Sequence, residues 1–460
     1  MSARFVLRQL DHDVRASLFL RPTVIAIVIS LLSVVLVELD QRTAGSLLPA
    51  PLIDEPSSAQ AVFGTIAGSV MAVVSIVYSV LVMSVTLASM QFSPRIVSLL
   101  LRDPVSQNVL GIFTGTFLYS LLALRGVRTE PPFVPSLTLL GAIALAITTI
   151  AALIYFIDHM AKEIQANHLI AGAAHDAFRA IESELPDGPA RDVAMSPTAE
   201  DAIAIHAIRS GYLQLVDVTR LIRIARSEKV RIDVVPMPGD FVAEGATLAR
   251  ISASPERKVE AAVTAVAHDY ARAFDLGPTR TLQQDVAFGL RLIVDIGVKA
   301  ISPAINDPST CSTCIDHLGA LLRRLATRSA GALLVTESDV VLVALPRPTF
   351  KDLVDLAFNQ LRQYGRSDLA VANRIMRALN NIAEVTTERA RLEALRQQGS
   401  LVVAGLDPHF MAEDRIELQE SYEALRGRVA ATLPRRRHRR RPRPAHYDPV
   451  GDPGGRQEDR

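Results

Sequence analysis

The chain has 460 residues, with 49 Lys and Arg against 48 Asp and Glu, and 49% of it is hydrophobic. Near-balanced charge excludes a whole-chain nucleic-acid binder, whose phosphate contacts demand a net basic surface. Two cysteines exclude a disulfide framework, and no paired Cys/His zinc-finger spacing is present.

The long apolar runs fall before residue 158, so residues 1–22 read as a cytoplasmic N-terminal segment and 23–157 as a four-helix transmembrane domain. The spans are Thr23–Val37, Ala61–Met90, Val105–Leu124 and Phe133–Ile157. The first is short but flanked by Arg21 and Glu38, which can snorkel to the interfaces. It is read as a retained signal anchor, because Glu38-Leu39-Asp40 is a poor substitute for a small-residue cleavage site. The second span would be about 45 Å long as a helix, so it must tilt or project from the bilayer. Arg4, Arg8, Arg15, Arg21, Arg95 and Arg102 lie on one side, against Arg42, Arg125 and Arg128 on the other. This asymmetry predicts an inner-membrane protein with both termini in the cytoplasm.

No ionisable residue lies within the four apolar cores, which argues against an ion- or proton-coupled pump. Small residues recur at helical spacing instead: Gly64, Gly68, Ala72, Ser75 and Ser79 on the second span, Gly111 and Gly115 on the third. Such stripes let helices pack closely in lipid. The alternative is an oligomer in which Ser75, Ser79, Ser84 and Ser89 line a pore. Between these spans, Ser93-Pro94 predicts a short helix over Pro94–Arg102, and Asp103-Pro104 repeats the same cap-and-proline start for the third.

Residues 158–207 read as a juxtamembrane helix, running on from the fourth span to Glu184, and a linker. His168 and His175 are about 10 Å apart on a helix, too far for one metal ion. Residues 208–260 read as a small β module, with strands throughout 208–252, notably Tyr212–Val218 and Arg231–Val235. Gly239-Asp240-Phe241-Val242 with Gly245 and Leu248 is similar to half of a biotinyl/lipoyl-type sandwich, but no lysine occupies the turn to carry a swinging arm.

Residues 261–433 read as a mainly helical cytoplasmic domain, making the whole a membrane α-helical protein followed by a mixed α+β region. Val286–Ile301 is apolar around most of its circumference except for Arg291, Asp295 and Lys299, one stripe paired at i,i+4. Ser302-Pro303 ends it. Asn306 precedes Asp307, which caps a second helix with Pro308 at its first position and N–H groups on Ser309, Thr310 and Cys311 expected to be free. Arg291, Asp295, Lys299, Asn306, Asp307, Ser309 and Thr310 are therefore candidates for binding an anionic ligand. The competing reading is a capped helix–helix turn. Cys311, Cys314 and His317 share a helix but lack a fourth zinc ligand, so they read as core and surface residues, and no metal or cofactor is predicted. Strands follow at Ala332–Val335 and Val340–Leu345, then helices at Phe350–Tyr364, Asp368–Glu384, Thr387–Gln397 and Glu413–Leu433. Residues 434–460 open with an Arg-rich run that predicts a disordered basic tail, with anionic lipid headgroups as its nearest partner and nucleic acid as a lesser one.

The stretch Gln91-Phe92-Ser93-Pro94-Arg95, then Leu101-Arg102-Asp103, Leu110-Gly111 and Gly115-Thr116-Phe117, resembles a bacterial membrane-protein family known as domain of unknown function 2254. Gly239–Val242, Phe288-Gly289-Leu290-Arg291, Asn306-Asp307-Pro308, Pro346–Phe350 and Gln363-Tyr364-Gly365-Arg366 extend the likeness. The resemblance implies a multi-pass membrane protein with a large cytoplasmic region, and no known reaction. No HExxH, G-x-S-x-G or Walker-type loop occurs. The preferred expectation is a non-enzymatic sensor or scaffold that binds a ligand or partner. Its rivals are an oligomeric channel lined by the second span, and a membrane-tethered enzyme using the Arg291–Asp307 constellation.

Overall fold

The computed structural model describes residues 19–43, 55–91, 103–163, 165–185, 191–195, 202–253, 270, 272–337 and 340–431. The short helix expected at Pro94–Arg102 and the basic tail lie outside these residues.

Four helices are long and apolar enough to cross a membrane: α1 (Leu20–Arg42), α2 (Pro56–Gln91), α3 (Pro104–Leu124) and α4 (Ser136–Glu163). Short strands β1 (Arg128–Thr129) and β2 (Pro132–Phe133) pair in the turn between the last two. Helix α3 is the centre of the bundle, packed by α1, α2 and α4. Its glycines make that possible. A Cβ on Gly111 would sit 2.8 Å from Ile25 Cβ, and one on Gly115 2.7 Å from Ile29 Cδ1. Polar groups close the bundle at both ends. Asp103 caps α3, accepting from Val105 N (3.1 Å) and Ser106 N (2.8 Å), and its carboxylate lies 3.1 Å from His159 of α4. At the other end Asp40, buried on α1, caps α4 by accepting from Leu137 N (3.1 Å) and Thr138 N (2.8 Å).

The continuous helix expected from the fourth span to Glu184 is instead two. Helix α4 stops at Glu163, Gln165 is extended (φ −69°, ψ 133°), and α5 restarts over Ala166–Glu184. The break allows Leu169, Ile170, Ala173, Ala174, Ala177 and Ile181 to enter a different core from the one α4 serves. The C-terminal end of α2 enters that same core through fully buried Ala88, flanked by Val85, so the long second helix does project beyond the apolar bundle.

After β3 (Asp192–Val193) come β4 (Ile203–His206), β5 (Gly211–Val216), α6 (Val218–Glu228), β6 (Val230–Val234), β7 (Phe241–Val242), β8 (Thr247–Ala253) and β9 (Phe274–Gly277). Helix α6 corrects the expectation of strands throughout 208–252. Asp217 starts it by accepting from Arg220 N (3.0 Å), Leu221, Ile224 and Ala225 bury one face, and Lys229 ends it in the left-handed region (φ 55°).

Helices α7 (Val286–Ala300) and α8 (Pro308–Leu325) follow, then β10 (Ala330–Gly331), β11 (Leu333–Glu337), β12 (Val340–Leu345), α9 (Phe350–Tyr364), α10 (Leu369–Ala383), α11 (Arg389–Gly405) and α12 (Ala412–Ala431). The larger sheet has the order β11-β12-β6-β8-β4, and β7-β5-β9 form a smaller one. Strand β12 pairs parallel with β6, Val343 opposite Ile232, so the sheet draws on strands both before residue 208 and after residue 261. Helix α11 also runs past its expected end at Gln397. Gly399 does not stop it; it lets α12 approach, since a Cβ there would lie 2.9 Å from Leu425 Cδ2. Helices α5 and α7–α12 share one hydrophobic core, the core that Ala88 enters.

Candidate functional site

Helix α7 starts because Asp285 accepts from Phe288 N (2.9 Å), and its apolar face is buried against α5, α8 and α9. The expected charged stripe is present on its remaining face. Arg291 Nε lies 3.0 Å from Asp295 Oδ1, both half-buried, whereas Lys299 is exposed. Arg291 stands about 12 Å along the axis from Lys299. In the turn that follows, Asn306 is exposed in the left-handed region (φ 52°), and Asp307 N donates to Ala300 O (2.8 Å).

Asp307 caps α8 as expected, but it also takes up the donors proposed to be free. Thr310 N donates to Asp307 Oδ1 (3.1 Å), Thr310 Oγ1 to Oδ2 (2.6 Å), and Cys311 N to the Asp307 carbonyl (3.4 Å). The bonds to its carboxylate, from the Thr310 hydroxyl foremost, then Thr310 N and Ser309 N, hold the carboxyl below its usual range. A ligand anion at this helix start would have to compete with a carboxylate already in place. Cys311 and Cys314 are buried core residues, and burial pushes the Cys311 thiol up to about 12 and that of Cys314 up as well. Thiolate chemistry at neutral pH is thereby disfavoured. Among the described residues no group of three His, Cys, Asp or Glu side chains is arranged to hold a metal.

Two clusters were not foreseen. At the β-module surface of α7, Arg280 Nε donates to Asp285 Oδ2 (2.8 Å), and the guanidinium lies over the Phe288 ring at 5.1 Å. Burial raises the Asp285 carboxyl above its usual range, with Arg280 opposing that rise. Gly239 (φ 97°) passes so close that a Cβ would overlap the Asp285 carboxylate. The Gly239-Asp240 and Phe288-Gly289 motifs therefore meet at one salt bridge.

The second cluster is an arginine clasp on the C-terminal end of α5. Arg328 Nη1 donates to Leu185 O (2.5 Å), while Arg347 donates to Glu184 O and, through Nη2, to Glu184 Oε2 (3.0 Å). Cations here offset the exposed carbonyls and negative pole of the helix end. Arg391, fully buried, holds the adjoining layer. It donates to Asp192 Oδ1 (2.7 Å), to the carbonyls of Leu325 (3.2 Å), Ala326 (3.2 Å) and Arg328 (2.8 Å), and lies 5.0 Å above the Phe350 ring. Burial pushes the Arg347 guanidinium down from its usual value, and Glu184 restores it in part. The Pro346–Phe350 motif carried the one sequence signal for this clasp; its partners lie far away in the chain.

On the second helix, Gly64 and Gly68 face outward with open space where a Cβ would be. Ser75 and Ser79 are exposed and bond back to the carbonyls of Met71 (3.2 Å) and Ser75 (2.9 Å). The predicted stripe on α2 is thus unfilled within the chain, while the one on α3 is filled by α1.

The chain matches the family model described as Predicted membrane protein (DUF2254) over residues 15–381. An uncharacterized protein of Mycobacterium bovis and one of Mycobacterium tuberculosis are each 32% identical to it over 373 residues, covering 78% of this chain and 70% of the relative. No solved structure matches.

Proposed function

The chain belongs to the Predicted membrane protein (DUF2254) family, and from that premise we propose that it is a non-enzymatic inner-membrane sensor whose polar half lies in the cytoplasm. On this reading, binding of a ligand or partner to the polar half shifts the helices of the membrane bundle. One observation carries it: two elements continuous with the bundle reach the core of the polar half. Helix α5, directly after α4, and Ala88 near the end of α2 are both built into the hydrophobic core of the polar half. The arginine clasp fixes the far end of α5 as well. A change in that core has two packed routes to the bundle, as coupling through packed elements requires. The Arg-rich run at 435–441 would add an electrostatic hold on anionic headgroups.

Differential scanning calorimetry of the full chain in lipid nanodiscs tests the coupling. A single cooperative transition is the expected result. Two well-separated transitions, the polar one indifferent to the lipid, would contradict it.

The open face of α2 favours a second reading, an oligomeric channel or facilitator in which Gly64 and Gly68 pack against a neighbouring copy and Ser75 and Ser79 line the path. Native mass spectrometry separates the two: a closed ring with ion flux in liposomes supports the channel, and a monomer without flux removes it.

A further inference from the structure

Between α5 and the larger sheet the chain crosses the helical core through residues 191–195, a short strap that contains β3. The strap brings little apolar surface with it. Val193 is half-buried, Ala194 and Met195 are exposed, and among the described residues none of the three belongs to a hydrophobic core. Its backbone hold is short as well: Ala330 N donates to Arg191 O (3.1 Å) and Ala332 N to Val193 O (2.8 Å). Gly331 (φ 79°) lies beneath, where a Cβ would overlap Val193 O, so the strap runs directly over the backbone of β10. Segments with few buried apolar contacts open locally at a lower cost than the core that carries them.

One side chain does most to fix the strap. Asp192 Oδ2 accepts from Phe350 N (3.2 Å) at the start of α9, and Oδ1 accepts from Arg391 Nε (3.2 Å) and Nη2 (2.7 Å). Arg391 is held independently of the strap, fully buried and with Nη1 donating to the carbonyls of Leu325, Ala326 and Arg328. A second carboxylate stands at the same guanidinium. Glu388, three residues ahead on the start of α11, brings Oε2 to 3.0 Å from Arg391 Nε. That oxygen makes no hydrogen bond among the described residues, because the Nε proton is directed at Asp192. The two carboxylates repel each other, and only one of them has the bond. Breaking a buried ion pair is costly when the cation is left without an anion. Here Glu388 is already in place to accept the Nε proton.

We propose that residues 191–195 form a releasable strap, latched by Asp192 on Arg391 and released when Arg391 exchanges that carboxylate for Glu388. The strap is the covalent crossing from α5 to the sheet, so its release removes one hold of the sheet on the helical core and leaves the core packed. The latch requires nothing of the coupling between the membrane bundle and the polar half, so either can fail without the other.

Hydrogen–deuterium exchange at the Ala330 and Ala332 amides of the full chain in nanodiscs, resolved to single residues by fragmentation, reads the strap directly, since those N–H groups are bonded to its carbonyls. In the wild type they are expected to exchange faster than the core amides of α8. Asp192→Asn should raise their exchange about tenfold or more, because charge-assisted bonds are lost. Glu388→Gln should lower it about two- to fivefold, the scale of a partly exposed charge pair, because the open strap then leaves Arg391 without its substitute partner. A purely structural network predicts the opposite sign at Glu388, since removing either acid would loosen it. Should Asp192→Asn fail to fold, Glu388→Gln carries the test alone. The proposal is overturned if the two wild-type amides exchange no faster than those of α8, if folded Asp192→Asn leaves them unchanged, or if Glu388→Gln exchanges as fast as the wild type or faster.

Discussion

The apolar bundle and the helical core of the polar half are both helix-on-helix assemblies, but different side chains hold them. In the bundle, α1, α2 and α4 bury only 17–22% of their most apolar windows and α3 buries 56%. Contact is made where glycines admit a neighbour, and buried polar groups such as Asp40 and Ser33 join one helix to the next. In the polar half, large side chains such as Phe350, Phe358, Leu321 and Leu361 fill the space between helices. The difference follows from the solvent. Water drives apolar side chains together, whereas a membrane helix gains little by exchanging lipid for leucine, and close backbone approach with hydrogen bonding decides. The break at Gln165, between α4 and α5, stands where the two regimes meet.

The comparison can be broken at its joints. The largest effect is expected at Arg391, where Arg391→Ala removes the donors to Asp192 Oδ1 and to three buried carbonyls. The polar half should lose about 3–5 kcal/mol, as when one partner of a buried ion pair is removed, read by urea unfolding monitored through its helical circular dichroism. In the bundle the sensitive change is an enlargement. Gly115→Leu should cost at least about 1–3 kcal/mol by forcing α1 from α3, whereas Gly68→Leu, in open space, should leave the thermal midpoint of a monomer unchanged. A large loss at Gly68 would show that α2 is covered by another chain.

The smallest loss belongs to Asp307→Ala, about 1 kcal/mol for a missing N-cap. Its carboxyl lies below the usual value in the folded chain, so its contribution is complete above the ordinary carboxylate range of about pH 4. It fades as the pH falls through the lower folded value. The wild-type and variant stabilities should therefore converge only in acid, which a series of melts from neutral to acidic pH reads directly.

What the sequence made legible was local. Asp103-Pro104 and Asp307-Pro308 announce helix starts, and the structure has caps at both. Phe350–Tyr364 is a helix with the expected ends, begun by a Thr349–Asp352 capping box. The charged stripe on α7 was readable from its i,i+4 spacing. What escaped depends on partners remote in the chain. The break at Gln165 serves a core assembled from residues beyond 285. Helix α6 was hidden because Leu221, Ile224 and Ala225 lie in a short segment between strands, and short apolar segments do not declare their period. The clasp joins Arg328 to Leu185 and Arg391 to Asp192 across more than a hundred residues, and no local pattern marks an arginine as buried. The donors at Ser309–Cys311 were misjudged for the opposite reason: Asp307 is so close that it takes Thr310 N–H and, through its carbonyl, that of Cys311.

The central claim is that the helix after the fourth span, and the end of the second, belong to the core of the polar half. Hydrogen–deuterium exchange of the full chain in nanodiscs, resolved by peptide, tests it most directly. The account predicts that residues 169–184 exchange as slowly as α7 and α8, and that residues 85–88 are equally protected. Exchange of 169–184 at the rate of an unstructured linker, with α7 and α8 still protected, would contradict it.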